Sequence, residues 1–126
     1  MLKYNLSQID TVSKKILSNL SNTDNIFLFG ELGSGKTTFA RSLIHGLQEK
    51  NKLRKTEVLS PTFNLLHEYE IKSLKVMHYD LYRLKKNKEV EQLGIFEETK
   101  NLITIIEWAE KIKKKNRKQV RNFIFL

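Results

Sequence analysis

Apolar residues in this chain fall into two kinds of pattern. Ile26-Phe27-Leu28-Phe29 and Leu102-Ile103-Thr104-Ile105-Ile106 are short and nearly unbroken runs, as suits strands buried on both faces of a parallel sheet. Elsewhere apolar positions recur every three or four residues. Ile9, Val12, Ile16 and Leu20 mark one face of a helix ending near Leu20, and Phe39, Leu43 and Leu47 one face of a helix running to about Lys50. Ser7, with Asp10 three residues later, resembles a helix N-cap with an acidic first turn, and Tyr4-Asn5-Leu6 before it predicts a short edge strand. Leu65 to Ile71 and Leu74 to Tyr79, joined at Lys72-Ser73, predict a hairpin. Glu89 to Leu93 predicts a short helix ended by Gly94, and Phe123 to Leu126 a final strand. The stretch Val58 to Phe63 holds the only proline, Pro61. Proline lacks an N–H and restricts its predecessor, so this piece is extended or turning.

Strands alternating with helices predict an α/β fold: a P-loop NTPase-like, mostly parallel sheet flanked by helices, with a β-hairpin and a shortened C-terminal strand region. At 126 residues and 40% hydrophobic content, the chain is expected to form a single domain over 1–126 with one core. Cysteine is absent, which excludes disulfides and thiolate metal sites. No apolar run nears the roughly 20 residues that span a bilayer, and the start lacks the apolar stretch of a secretion signal. The expected location is cytoplasmic.

Between the first apolar run and the second helix stands Gly30-Glu31-Leu32-Gly33-Ser34-Gly35-Lys36-Thr37, a complete phosphate-binding loop of the pattern G-x-x-x-x-G-K-[ST]. Its glycines let backbone N–H groups converge on phosphate oxygens at a helix N-terminus. Lys36 is placed to reach the β- and γ-phosphates, and the Thr37 hydroxyl to ligate Mg²⁺. Such a site also needs an acid at the carboxyl end of a neighbouring strand. Glu107 and Asp80 both fit, and either can hold the metal while the other orients an attacking water. Thr62, in the Ser60-Pro61-Thr62 corner, suits a switch-like loop that senses the γ-phosphate. Trp108 either walls the nucleotide site or joins the core. His45 and His67 have no companion at metal-ligand spacing, and Glu31 is expected to face solvent.

The formal net charge is +9 and unevenly spread. Seven basic residues follow Glu110 with no acid among them, which leaves 16 basic against 14 acidic side chains in residues 1–110. The 111–126 segment is therefore a basic tail. It is either a solvated lysine-rich face or a surface that attracts phosphate backbones or acidic partners.

Taken together, Gly-Glu-Leu-Gly-Ser-Gly-Lys-Thr-Thr-Phe at 30–39, Ser-Pro-Thr-Phe at 60–63, His-Tyr-Asp-Leu-Tyr-Arg-Leu at 78–84, Leu-Gly-Ile at 93–95 and Ile-Glu-Trp at 106–108 resemble the TsaE family, formerly the YjeE family. This is the bacterial ATPase component of tRNA threonylcarbamoyladenosine synthesis. The resemblance covers about residues 26–111. It implies a small α/β domain that binds ATP with Mg²⁺ and hydrolyses it slowly, activated by the TsaD–TsaB pair that modifies adenosine 37 of tRNAs. By position, Gly33, Ser34, Gly35, Lys36, Thr37 and Thr38 would cradle the phosphates, and Thr37 with Glu107 would hold Mg²⁺. Asp80 would assist hydrolysis, Thr62 would belong to the switch-like loop, and Thr11 would lie near the adenine. Two departures stand out: Ala109 replaces the usual proline after Glu-Trp, and only Val120 to Leu126 remains where family members continue with a strand hairpin.

Two other functions stay open on sequence grounds. One is a small-molecule kinase, which would need an acceptor pocket and an arginine-bearing lid. The other is an ATP-gated binding module whose tail docks on tRNA or an acidic partner. Arg83 is the one visible candidate for an arginine finger, and a partner protein is the other source.

Overall fold

The two unbroken apolar runs lie side by side at the centre of a five-stranded sheet in the computed structural model, which describes residues 3–97, 101–117, 120 and 122–126. β1 (Asn25–Phe29) pairs in parallel with β4 (Leu102–Glu107), Leu28 standing opposite Glu107. On the far side of β4 lies β3 (Leu74–Asp80), also parallel, with Asp80 opposite Glu107. β2 (Leu66–Ile71) is antiparallel to β3, completing the expected hairpin. β5 (Asn122–Phe125) joins the other edge of β1 in parallel, so the order is β2-β3-β4-β1-β5. The expected α/β class with a mostly parallel sheet is what forms.

Strand side chains alternate between faces, and the alternation divides the core in two. Ile26, Leu28, Val76, Ile103, Ile105 and Ile124 face α1 (Ile9–Ser18) and α2 (Lys36–Lys50), meeting Ile9, Phe39, Leu43 and Ile44. Phe27, Phe29, Tyr79 and Ile106 face the other way, toward Ile95, Ile112 and the flank of α3 (Asn87–Gln92). Phe27 is fully buried on β1, with the ring of Phe123 edge-on at 5.8 Å. Phe27→Ala is expected to destabilise the fold by about 3–5 kcal/mol in denaturant unfolding, and a loss below about 1 kcal/mol would contradict this packing.

Three local expectations need correction. Tyr4-Asn5-Leu6 is not a strand: only Lys3 bridges to Phe125, and Leu6–Gln8 form a 3₁₀ turn leading into α1. Asn5 rather than Ser7 opens that turn. Its backbone N–H donates to Gln8 Oε1 at 2.9 Å, and its side chain accepts from the Ser7 hydroxyl at 2.6 Å. Such local hydrogen bonding favours turns over ladders. The short helix after the hairpin begins at Asn87, two residues before the expected start.

The basic tail is partly structural. Lys111 donates to the carbonyls of Tyr82 and Leu84, and Arg117 to those of Ala109, Glu110 and Ile112. Lys113 lies 3.5 Å from Glu91, whereas Lys114 and Lys115 are exposed. Lys118 and Arg121 lie outside the described residues. No helix among the described residues is long and apolar enough to cross a membrane.

Candidate functional site

The phosphate loop links β1 to α2 at the carboxyl edge of the parallel strands. Its glycines are needed there. Gly33 and Gly35 have φ of 81° and 107°, where side chains are strained. A Cβ on Gly35 would also stand 2.9 Å from side-chain carbons of both Leu6 and Ile9. Lys36, the first residue of α2, is buried to 5% exposure. Its ammonium donates to the carbonyls of Gly30 and Glu31 and lies 3.8 Å above the Trp108 ring. Burial holds the Lys36 pKa below the usual lysine value, against Glu110, Glu107 and Asp80, which pull it up.

The acids arrive from two neighbouring strands. Strand parity puts His78, Asp80 and Glu107 on the face that also receives α2, and all three are buried. The Thr37 hydroxyl donates to Glu107 Oε1 at 2.9 Å and Oε2 at 3.1 Å. Glu107 Oε2 also lies 2.6 Å from His78 Nε2. Asp80 Oδ2 accepts from the hydroxyls of Thr62 at 2.6 Å and Ser60 at 3.1 Å, and Oδ1 from the Tyr82 N–H at 2.9 Å. The loop bearing Thr62 is tethered from α2, where Arg41 donates twice to the carbonyl of Val58 at 3.1 and 3.0 Å.

A cavity of about 400 Å³ opens among Lys36, Thr37, Thr62, Asp80 and Glu107, with Thr38 and Tyr82 at its edge. A second, of about 520 Å³, lies across the loop, lined by Ser34, Glu110 and Phe125. Leu32, Gly33 and Trp108 line both cavities. Trp108 is held at φ 59°, ψ 43°, a left-handed conformation costing a bulky residue about 1–3 kcal/mol and typical of functional sites. Its ring lies 4.9 Å from that of Tyr82 between centroids, and Trp108 both walls the site and packs against the edge of the core. Ala109 follows it, fully buried at the start of a 3₁₀ turn.

The sequence-derived site residues thus divide. Gly33, Gly35, Lys36, Thr37, Thr38, Thr62, Asp80, Glu107 and Trp108 border the same cavity, and Ser34 lies on the adjoining one. Thr11 does not join them: it is exposed on α1 and lines neither cavity. Glu31 is exposed as expected. Sequence reasoning missed two residues. One is His78, which strand parity with Asp80 could have singled out. The other is Glu110, whose carboxylate accepts the Gly30 N–H at 3.2 Å and which no local pattern marks.

Comparison with known proteins assigns the chain to a family. The profile of the family described as "Threonylcarbamoyl adenosine biosynthesis protein TsaE" matches residues 4–124. The chain belongs to the TsaE family. A TsaE protein of Rickettsia felis is 38% identical over 113 residues, covering 90% of this chain and 64% of that relative. The TsaE protein of Aquifex aeolicus is 38% identical over 109 residues, 85% and 75% of the two chains. This TsaE family chain therefore spans about two thirds of the length of the Rickettsia relative. In fold it is similar to the crystal structure of YdiB from Bacillus subtilis, with a TM-score of 0.57 at 23% identity, over 89% of this chain and 68% of that one.

Mg²⁺ is tested by the donors present. Thr37 Oγ1 and Glu107 are hard oxygen ligands already in mutual contact. Mg²⁺ bound with a nucleotide takes one or two protein oxygens, its other positions going to water and phosphate. Among the described residues there is no cluster of three or more His, Asp or Glu side chains that could hold a metal, and this mode needs none. The residues fit the ion.

Proposed function

We propose that this chain binds ATP with Mg²⁺ in the cavity between the phosphate loop and the ends of β3 and β4, and hydrolyses it as the ATPase component of threonylcarbamoyladenosine synthesis on tRNA. The observation that carries this reading is the contact of the Thr37 hydroxyl with the Glu107 carboxylate directly behind the phosphate loop, with Asp80 on the adjacent strand. Thr37 and Glu107 would hold Mg²⁺, which when bound offsets charge on the phosphate oxygens. Lys36 exchanges its two loop carbonyls for phosphate oxygens, and its charge stabilises the phosphoryl group in transfer. Asp80 orients the attacking water once Ser60 and Thr62 release one of its oxygens to it. Thr62 thereby ties the loop's position to the state of the site.

The same site is incomplete as a catalyst. Among the described residues no arginine lines the cavity: Arg83 is exposed and rests 5.3 Å from the exposed Phe63 ring, and Arg41 is engaged with the carbonyl of Val58. Leu6, Leu32 and Tyr82 stand at the cavity with 62%, 78% and 45% of their surface exposed, and clustered exposed apolar side chains mark binding surfaces. Partners of the TsaD and TsaB type are proposed to cover this rim and raise the rate. ATP hydrolysis by the chain alone and with those proteins tests the reading. Slow release that the partners accelerate is expected, and absence of acceleration would contradict it.

A further inference from the structure

His78 makes a contact with a candidate metal-binding acid that the proposed chemistry leaves unused. Its ring is completely buried on β3, its Nε2 lies 2.6 Å from Glu107 Oε2, and its Nδ1 has no hydrogen-bond partner. Buried polar atoms are nearly always paired, because each unpaired one lowers stability. On that face of the strand His78 stands between the apolar Val76 and the acid Asp80, with Ile105 opposite it on β4. What the imidazole adds is the bond made by its other nitrogen.

That bond is a diagonal brace. In the ladder His78 stands opposite Ile105 and Asp80 opposite Glu107, so the His78–Glu107 contact crosses between the two strands that carry the candidate acids. A carboxylate held only by Thr37, which reaches both oxygens at similar distance, can rotate about its last bond. We propose that His78 is a positioning residue: by donating from Nε2 to Oε2 it fixes the Glu107 carboxylate, leaving Oε1 turned toward Thr37 and the phosphate side of the cavity. This rests on the reading of Glu107 as the acid that holds Mg²⁺. Partners that orient a metal-binding side chain in this way contribute about 10–100-fold to metal affinity.

The test is equilibrium binding of ADP to the full chain, first in EDTA and then across a Mg²⁺ titration, for wild type, His78→Leu and His78→Gln. A glutamine amide can place an N–H near the position of Nε2. The three proteins are expected to bind ADP equally in EDTA. With Mg²⁺, His78→Leu should need about tenfold or more of the ion for the same tightening, and His78→Gln should recover most of it. A leucine variant with the wild-type Mg²⁺ response would overturn the proposal, as would equal losses in both variants. A wild type that binds ADP but ignores Mg²⁺ would instead overturn the reading of Glu107, and the proposal with it. Where melting shows that His78→Leu does not fold, His78→Gln against the shorter His78→Asn carries the comparison, and an equal Mg²⁺ response in those two would overturn the proposal.

Discussion

Replacing Lys36 by methionine is expected to weaken nucleotide binding by about 100-fold or more, and to remove a pH-dependent component of stability. The binding loss follows from the loss of a buried, directed charge. Truncating one partner of such a pair costs about 2–5 kcal/mol, and each 1.4 kcal/mol or so is a factor of ten. The stability effect follows from burial, which depresses the Lys36 pKa below the ordinary value of 10.5. Between the depressed value and 10.5 the unfolded chain binds more protons than the folded one, so stability rises with pH through that window. The methionine variant lacks this rise. Wild type should therefore gain stability relative to Lys36→Met as pH climbs toward 10.5. Tyr69 and Tyr79, whose phenols burial pushes up, titrate in the alkaline range in both proteins and cancel in the difference. Parallel stability curves for the two chains would contradict this account, as would wild-type affinity for ADP in the variant.

Glu107→Gln is expected to reduce partner-stimulated hydrolysis by about 10²–10³-fold, the scale of several kcal/mol of lost charge stabilisation at a metal site. The amide keeps the shape of the side chain, its oxygen can accept from His78 and its NH2 can donate to the Thr37 hydroxyl, so folding should change little. The measurement is phosphate release at saturating nucleotide, paired with thermal unfolding. Activity within about tenfold of wild type would contradict the assignment. Collapse of the fold would point instead to Glu107 as a structural anchor between α2 and β4.

What was legible in the sequence was local. The phosphate loop is contiguous, and its flanking strand and helix announce themselves by apolar runs and by a spacing of four. Asp80 and Glu107 stand at the ends of apolar strands, so each was visible as a strand-end acid. That they are register partners is a non-local fact, carried by pairing between residues far apart in sequence. The brace from His78 was hidden for the same reason: a lone histidine within a strand acquires meaning only when the neighbouring strand brings Glu107 within 2.6 Å. At the N-terminus an apparent edge strand lost to the local hydrogen bonding of Asn5 and Gln8. In the tail, charge counting treated all cations alike, whereas Lys111 and Arg117 satisfy backbone carbonyls and only part of the segment offers free charge.

The central claim is that water, not a second substrate, receives the γ-phosphoryl group, and that a partner completes the site. The most direct measurement follows γ-labelled ATP with this chain, with TsaD and TsaB added, and identifies the labelled product. The account predicts label in inorganic phosphate only, released faster with the partners than without, and lost in Lys36→Met and Glu107→Gln. Label transferred to an acceptor, or release that the partners leave unchanged, would contradict it.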